Sequence, residues 1–315
     1  MKRFILHIVT VLLIAATILL GFTWYTASSI KRVDYTLPDT VHIIAIGPST
    51  TGCALTEQSL HGFRNISRNG TSLPYLIPWL PRLLDDNQQI DTVLINFGRF
   101  HVFMGSDPKN QSLQSIRDLM CFMYYDFEAT DWDALARNPN FYGALLNPNF
   151  FERALVLKAR HLTDFGFRYN RLERNYLHKV DAEGGILSYE KQKAEHGGNI
   201  YTKEWITKNR FEKDYWARRA VAICRERNVV PIFFFTPLYQ YDRWVEPQAF
   251  YEYMSTFDDD ILIADYEDFQ FPDDSYYGDV HHLNYHGAEY FTSHLARNGI
   301  DAKPLRQWLH DKGFK

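Results

Sequence analysis

The chain has 315 residues, of which 46% are hydrophobic and 23% charged, and its formal net charge is −4. These shares are ordinary for a globular protein, and the length is sufficient for a large core. Because the chain is slightly acidic and no basic block follows its first residues, the composition argues against a nucleic-acid partner.

The N-terminus carries an almost wholly apolar run, Phe4 to Tyr25, directly after Lys2-Arg3. A helix that spans a bilayer needs ~20 apolar residues, whereas the apolar part of a cleavable signal has about 7–15. We therefore predict a single-pass anchor in a bacterial inner membrane through residues 4–25, within a segment 1–29. The positive N-terminus places the rest of the chain in the periplasm or outside. Cleavage near Ala27-Ser28-Ser29 is the alternative.

A linker at 30–40 precedes one domain at 41–315, in which apolar runs alternate with amphipathic segments. Strands are predicted at Val41 to Ile46, His61 to Ile66, Asp91 to Phe97, Val229 to Thr236 and Asp260 to Ala264. Helices are predicted at Leu55 to Leu60, Pro74 to Leu84, Lys208 to Asn228, Pro247 to Phe257 and Gly287 to Asn298. This alternation predicts an α/β fold with a mainly parallel sheet covered by helices.

Residues at about 99–202 break the alternation. They show helix-like patches at Leu113 to Tyr125 and Phe150 to Phe165, and many aromatic residues, but no strand pattern. We interpret this stretch as a helical, aromatic-rich insertion on the sheet.

The three cysteines, Cys53, Cys121 and Cys224, form neither a CxxC pair nor a zinc-like cluster with histidines. We expect no disulfide framework, no metal site and no organic cofactor. Cys224 falls in a helical pattern and is interpreted as a small core residue.

The first strand ends abruptly at Gly47-Pro48, which is followed by Ser49. A serine on the turn after a buried strand stands at the carboxyl edge of the sheet, where open α/β sheets bind ligands. One interpretation is that Ser49 is a nucleophile, and the other is that it caps the next helix. Thr50 is a second candidate hydroxyl at the same turn.

A second informative stretch, Asp279-Val280-His281-His282, lies between the last predicted strand and the last helix. In a loop that turns into a helix, Asp-x-x-His spacing lets the carboxylate reach the imidazole. A nucleophilic serine needs such a base and a group that orients it, so Ser49, His282 and Asp279 fit the three roles of a catalytic triad. The alternatives are a helix-capping Asp279 with surface histidines, or a base at His281 or His286.

These motifs resemble those of the SGNH (GDSL-like) hydrolase superfamily, especially its membrane-anchored bacterial branches that act on cell-surface polymers. Gly47-Pro48-Ser49 is similar to the first sequence block, Asn65 to Thr71 to the second, and Asp279 to Asn284 to the last. The resemblance implies a three-layer α/β/α fold with a flavodoxin-like sheet. It also implies an oxyanion hole formed by the backbone N–H groups of Ser49 and Gly70.

The chain departs from the family pattern at two places. Pro48 replaces the usual polar residue of the first block, and Phe100 stands where the third block has an asparagine after its glycine. Asn96 is the remaining weak candidate for that oxyanion donor, with Arg99 and His101 as substitutes. The loss of one such donor can cost ~2.7–4 kcal/mol of barrier stabilisation.

The resemblance implies a serine esterase or O-acyltransferase that acts on acyl esters, most simply acetyl esters, of a cell-surface glycan. The expected partners are an acylated glycan or a small ester substrate, the inner membrane and a membrane acyl-transfer protein. The departure at the third block and the aromatic insertion motivate the alternative of a noncatalytic SGNH-like module that binds or helps to assemble exported polysaccharide.

Overall fold

The computed structural model describes residues 2–30, 36–67, 73, 76–99, 127–137, 140–145, 210–239, 246–278 and 282–314. The helices are α1 (Lys2–Ile30), α2 (Ser49–Ala54), α3 (Leu80–Asp86), α4 (Ala129–Ala136), α5 (Phe141–Leu145), α6 (Arg210–Glu226), α7 (Pro247–Met254), α8 (Tyr285–Asn298) and α9 (Leu305–Asp311). The strands are β1 (Ile43–Ile46), β2 (Phe63–Asn65), β3 (Thr92–Asn96), β4 (Val230–Phe235), β5 (Leu262–Asp265) and β6 (Lys303–Pro304).

The strands form one six-stranded sheet in the order β2-β1-β3-β4-β5-β6. The first five strands are parallel, and β6 pairs with β5 in the antiparallel direction. The predicted α/β class with a mainly parallel sheet is therefore confirmed. The strand order reverses between β1 and β3, and open α/β sheets bind ligands outside the carboxyl ends of the strands at such a point.

Alternate residues of the central strands enter two separate apolar clusters. On β3, Val93 and Ile95 belong to the first cluster and Leu94 to the second. Helices α3, α6, α7 and α9 contribute side chains to the first cluster, while α2 and α8 contribute to the second. Burial on both sides explains why these strands read as continuous apolar runs.

Local signals fix the limits of the helix that follows the proposed base. The side chain of Asn284 caps α8 by accepting a hydrogen bond from the N–H of Gly287 at 2.9 Å. The helix ends at Gly299, whose φ of 78° suits a residue without a Cβ. The structured helix therefore starts slightly earlier than the predicted segment Gly287 to Asn298.

The predicted helix Leu55 to Leu60 is wrong. The chain becomes helical at Ser49, immediately after Pro48, and leaves the helix at Leu55, whose φ of −121° and ψ of 124° are extended. The composition of residues 49–54 favours a turn. The segment is nevertheless helical, because its burial in the fold stabilises the helix; the buried residues are Thr50, Thr51, Cys53 and Ala54. Strand β6 and helix α9 were not predicted.

Most of the predicted insertion, including both helix-like patches and Cys121, lies outside the described residues. Its described part contains α4 and α5. Helix α4 is joined to α6, because the hydroxyl of Tyr215 donates a hydrogen bond of 2.5 Å to Asp131. Burial and this carboxylate raise the pKa of Tyr215 above its ordinary value.

Helix α1 extends over 29 residues. Its exposed large apolar side chains include those of Phe4, Ile5, Leu6, Ile8, Val9, Val11, Leu12, Leu13, Ile14, Ile18, Leu20 and Trp24. Within the part of the chain that the structure describes, no helix has the combined length and apolarity of a membrane span.

The packing of β4 predicts a sharp positional contrast in stability. Phe234 is fully buried against Tyr266 and Phe291, whereas Val230 of the same strand is 43% exposed. We expect Phe234→Ala to lower the free energy of unfolding by about 3–5 kcal/mol, because it removes buried surface and leaves a cavity. Val230→Ala should change it by less than about 1 kcal/mol. Urea denaturation measures both, and equal losses would contradict the described core.

Candidate active site

Ser49 is the first residue of α2 and lies directly after β1, at the point where the strand order reverses. The turn beneath it is tightly packed. A Cβ at Gly47 would clash with Oγ1 of Thr51 and lie 2.7 Å from Cβ of Asn96. Glycine is therefore required at this position so that the chain can pass close to β3 and present Ser49, whose side chain is half-buried.

The hydroxyl of Ser49 forms a hydrogen bond of 2.8 Å with Nε2 of His282, a residue 233 positions further along the chain. His282 is also half-buried. The distance is within the range in which an imidazole can take the proton of a serine as it attacks. The structure thus brings together two of the three residues predicted from sequence, and Asp279 lies outside the described residues.

The backbone around His282 is held by the segment that precedes it. The N–H of Gly278 donates to the carbonyl oxygen of His282 at 2.8 Å, and Tyr277 forms an isolated antiparallel bridge with Leu283. A Cβ at Gly287 would clash with the carbonyl oxygen of Tyr276. Glycine at this position therefore allows the first turn of α8 to pack against residues 276–278. This packing fixes the position of the His282 backbone.

Asn96 forms the centre of a buried polar network below Ser49. Its side chain is fully buried, and the two N–H groups of Nδ2 are shared among the hydroxyl oxygens of Thr50, Thr51 and Thr236, which lie at 3.2, 2.5 and 3.3 Å. The network joins the carboxyl ends of β3 and β4 to the first turn of α2. Because this fully buried amide contacts three hydroxyl groups, the structure assigns Asn96 a supporting role under the turn, and its role as an oxyanion donor stays a prediction.

A second buried asparagine holds the other end of α2. Nδ2 of Asn65 donates to the carbonyl oxygens of Thr51 and Leu55 at 3.2 and 2.9 Å, and Oδ1 accepts from the N–H of Ser67 at 3.1 Å. Asn65 thereby ties α2 to the end of β2. Gly70, the predicted backbone donor that follows this segment, lies outside the described residues.

At the same edge of the sheet, a buried ion pair joins Arg99, which follows β3, to Glu267, which follows β5. Nε of Arg99 lies 2.9 Å from Oε2 of Glu267, and the backbone N–H of Arg99 donates to Oε1 at 2.5 Å. The two side chains are 3% and 2% exposed. Burial raises the pKa of Glu267 to about 7, and it outweighs the opposing effect of the Arg99 guanidinium. Arg99 is thus bound inside the protein, where a substrate does not reach it.

The other residues proposed from the sequence differ in how close they lie to the Ser49–His282 hydrogen bond. Thr50 is 1% exposed and accepts a hydrogen bond from Asn96, so its hydroxyl is too deep to meet a substrate. His286 is exposed on α8, with its ring against Tyr285, and it is His282 whose ring contacts Ser49. His281 and His101 lie outside the described residues.

No group of histidine, cysteine and carboxylate side chains with the arrangement of a metal site occurs among the residues described. Cys53 and Cys224 are both buried. Burial raises the pKa of Cys224 to about 12, so this thiol stays protonated at neutral pH, as befits a core residue.

Sequence reasoning missed Glu267 and the structural role of Asn65. Glu267 follows β5 by two positions, so the one available signal was a carboxylate just beyond a strand at the edge that carries Ser49. Its partner is 168 positions away, and no local pattern indicates that pairing.

Comparisons of the chain with models of known protein families, with curated proteins and with solved structures found no match.

Glu267 predicts an unusual pH dependence of stability. Its pKa is raised on folding, so between about pH 5 and 7 the folded state holds a proton that the unfolded chain releases. The free energy of unfolding should therefore fall as pH rises through this window, with at most about 1.4 kcal/mol per pH unit from this one proton. Glu267→Gln should flatten this part of the profile, as measured by urea denaturation at several pH values.

The exposed Glu246 offers a matched control for that substitution. Glu246→Gln should keep the slope of the unchanged protein. A Glu267→Gln profile as steep as that of the unchanged protein would show that the carboxylate is ionised throughout the window.

Proposed function

We propose that the protein is an extracytoplasmic serine esterase or O-acyltransferase of the SGNH type. The observation that carries the proposal is the 2.8 Å hydrogen bond between Ser49 Oγ and His282 Nε2. Ser49 lies near the start of the domain's sequence and His282 near its end. The two half-buried residues meet at the edge of the sheet where α/β proteins bind ligands. If Ser49 were only a helix cap and His282 only a surface residue, nothing would require their side chains to form a hydrogen bond.

In the proposed reaction, Ser49 Oγ attacks the carbonyl carbon of an ester while His282 Nε2 takes the serine proton. Asp279, assigned from the sequence motif, orients the imidazole and stabilises its charged form. The alcohol leaves with the proton from His282, and the acyl group stays on Ser49. Water, or a sugar hydroxyl in a transferase, then attacks the acyl-enzyme with His282 again as base, which regenerates Ser49.

The oxyanion is assigned to backbone donors. The N–H of Ser49 lies in the first turn of α2, where N–H groups have no acceptor within the helix. The second donor is the N–H of Gly70, by resemblance to the second family block. Backbone donors need no particular side chain, so they are compatible with Asn96 and Arg99 being engaged elsewhere.

The three-layer, flavodoxin-like architecture belongs to the same proposal. It is supported by the parallel strand order β2-β1-β3-β4-β5 and by the entry of helices into two clusters formed by alternate strand residues. In this arrangement the loops after β1, β3, β4 and β5 share one edge, and Ser49 lies on that edge beside the point where the strand order reverses.

The proposed substrate is an acylated glycan at the cell surface, with a membrane acyl-transfer protein as a partner for transfer. This assignment rests on the family resemblance and on the apolar N-terminal run, whose described side chains are exposed on α1. It also requires that the domain lies outside the inner membrane.

A noncatalytic, polysaccharide-binding module is the second candidate. One observation favours it: the side chains of Asn96 and Arg99, two candidates for the third oxyanion donor, are bound inside the protein. A domain that retains the Ser49–His282 pair without efficient oxyanion stabilisation would bind a glycan without turning it over.

Loss of the nucleophile tests catalysis directly. The full chain in detergent should hydrolyse 4-nitrophenyl acetate, and Ser49→Ala should lower kcat/KM by about 10³-fold or more, because the acyl-enzyme cannot form. Ser293→Ala, at another half-buried serine on α8, is the matched control and should retain activity. Equal activity of all three proteins would contradict the assignment of Ser49.

The same preparation distinguishes hydrolysis from transfer. Acetate release from an acetylated sugar is measured with and without a soluble oligosaccharide acceptor. A transferase should release less acetate and acetylate the acceptor, whereas an esterase should release acetate at the same rate in both. Absence of turnover with retained glycan binding favours the noncatalytic module.

The location predicts the behaviour of the full chain in cells. The proposed anchor at residues 4–25, whose described side chains are exposed, should keep the protein in the membrane pellet after washing with alkaline carbonate, which removes peripheral proteins. Recovery of the intact chain in the supernatant would contradict the anchor, and a shortened chain there would indicate cleavage near residues 27–29.

A further inference from the structure

Helix α2 carries Ser49 at its start, and helix α8 begins shortly after His282, so the contact between the two helices is a direct route between the reacting groups. Thr292 lies on α8 and is fully buried. Its hydroxyl oxygen accepts a hydrogen bond from the N–H of Thr56 at 3.0 Å and donates to the carbonyl oxygen of Ala54 at 3.3 Å.

Both bonds are made to the backbone where α2 ends. Ala54 is the last residue of this helix, and its carbonyl is one of the C-terminal groups that have no acceptor role within the helix. A single threonine hydroxyl from α8 therefore satisfies an acceptor and a donor at this end. Because α2 has only six residues, a shift of its end is transmitted to Ser49 within less than two turns.

Small side chains also contribute to this contact. Cys53 of α2 and Ala288 of α8 form a buried cluster of their own. Apolar contacts of this kind bring the helices close, but they are not directional. The two hydrogen bonds of Thr292 are directional, so they define how far α8 lies along α2.

We propose that Thr292 is a positioning residue for catalysis: its buried hydroxyl locks α8 to the end of α2 and thereby holds His282 Nε2 within hydrogen-bond reach of Ser49 Oγ. The catalytic part of this inference rests on the proposed function. Thr292 belongs to none of the sequence motifs, and its role follows from the contacts of its hydroxyl alone.

Two substitutions separate the hydroxyl from the rest of the side chain. Thr292→Val keeps the size and branching but removes both hydrogen bonds, whereas Thr292→Ser keeps the hydroxyl and removes a methyl group. A misplacement of about 1 Å can cost about 10²-fold in rate. For hydrolysis of 4-nitrophenyl acetate by the full chain, Thr292→Val should therefore lower kcat about 10- to 100-fold with KM unchanged, and Thr292→Ser should stay within about threefold of the unchanged protein.

A control with a comparable buried polar loss separates positioning from stability. Asn87 is 1% exposed near the opposite edge of the sheet, where it accepts from the N–H of Leu37 at 2.6 Å and donates to the carbonyl oxygen of Leu83 at 2.8 Å. Asn87→Ala should lower the free energy of unfolding, as Thr292→Val does, but leave kcat unchanged at a temperature where both variants are folded.

Crystal structures of the Thr292 variants give a readout that does not depend on turnover. In Thr292→Val the Ser49 Oγ–His282 Nε2 distance should exceed hydrogen-bond range, and in Thr292→Ser it should remain near 2.8 Å. Unchanged distance and kcat in Thr292→Val, or equal losses in both variants, would overturn the inference. An inactive unchanged protein in which only Thr292→Val lengthens the distance would refute the proposed activity but retain the positioning role.

Discussion

The hydrogen bond between Ser49 and His282 can form only when the whole domain is folded, because its two residues are 233 positions apart in the sequence. Ser49 depends on β1 and on the close passage of Gly47 over β3. His282 depends on the capped start of α8 and on its pairing with the segment at Gly278. A strand order that reverses between β1 and β3 supplies the place where both can lie at one edge.

Buried polar side chains hold that edge together. Asn65 and Asn96 reach α2 from the neighbouring strands, and Thr292 reaches it from α8. Glu267 binds the chain directly after β3 in the same way. Partnered hydrogen bonds in a low dielectric are directional and costly to lose, so they specify one arrangement of a short helix that apolar packing alone leaves free to slide.

Much of this site was predictable from local sequence. An apolar run that ends in Gly-Pro indicated β1 and the turn at Ser49, and the Asp-x-x-His segment before an amphipathic stretch indicated the position of His282. The helix after Ser49 was misplaced, because Thr50, Thr51 and Gly52 favour turns when read alone and become helical only through burial of the threonines. The pairings of Glu267 and Thr292 are contacts across the fold, which spacing along the chain does not reveal.

We propose that Ser49 is a nucleophile activated by His282. It is tested most directly by intact-mass measurement of the full chain after incubation with a fluorophosphonate, followed by peptide mapping. We expect one covalent adduct, located on Ser49, whose formation is strongly slowed in His282→Gln. An unmodified protein, or an adduct at another residue, would contradict it.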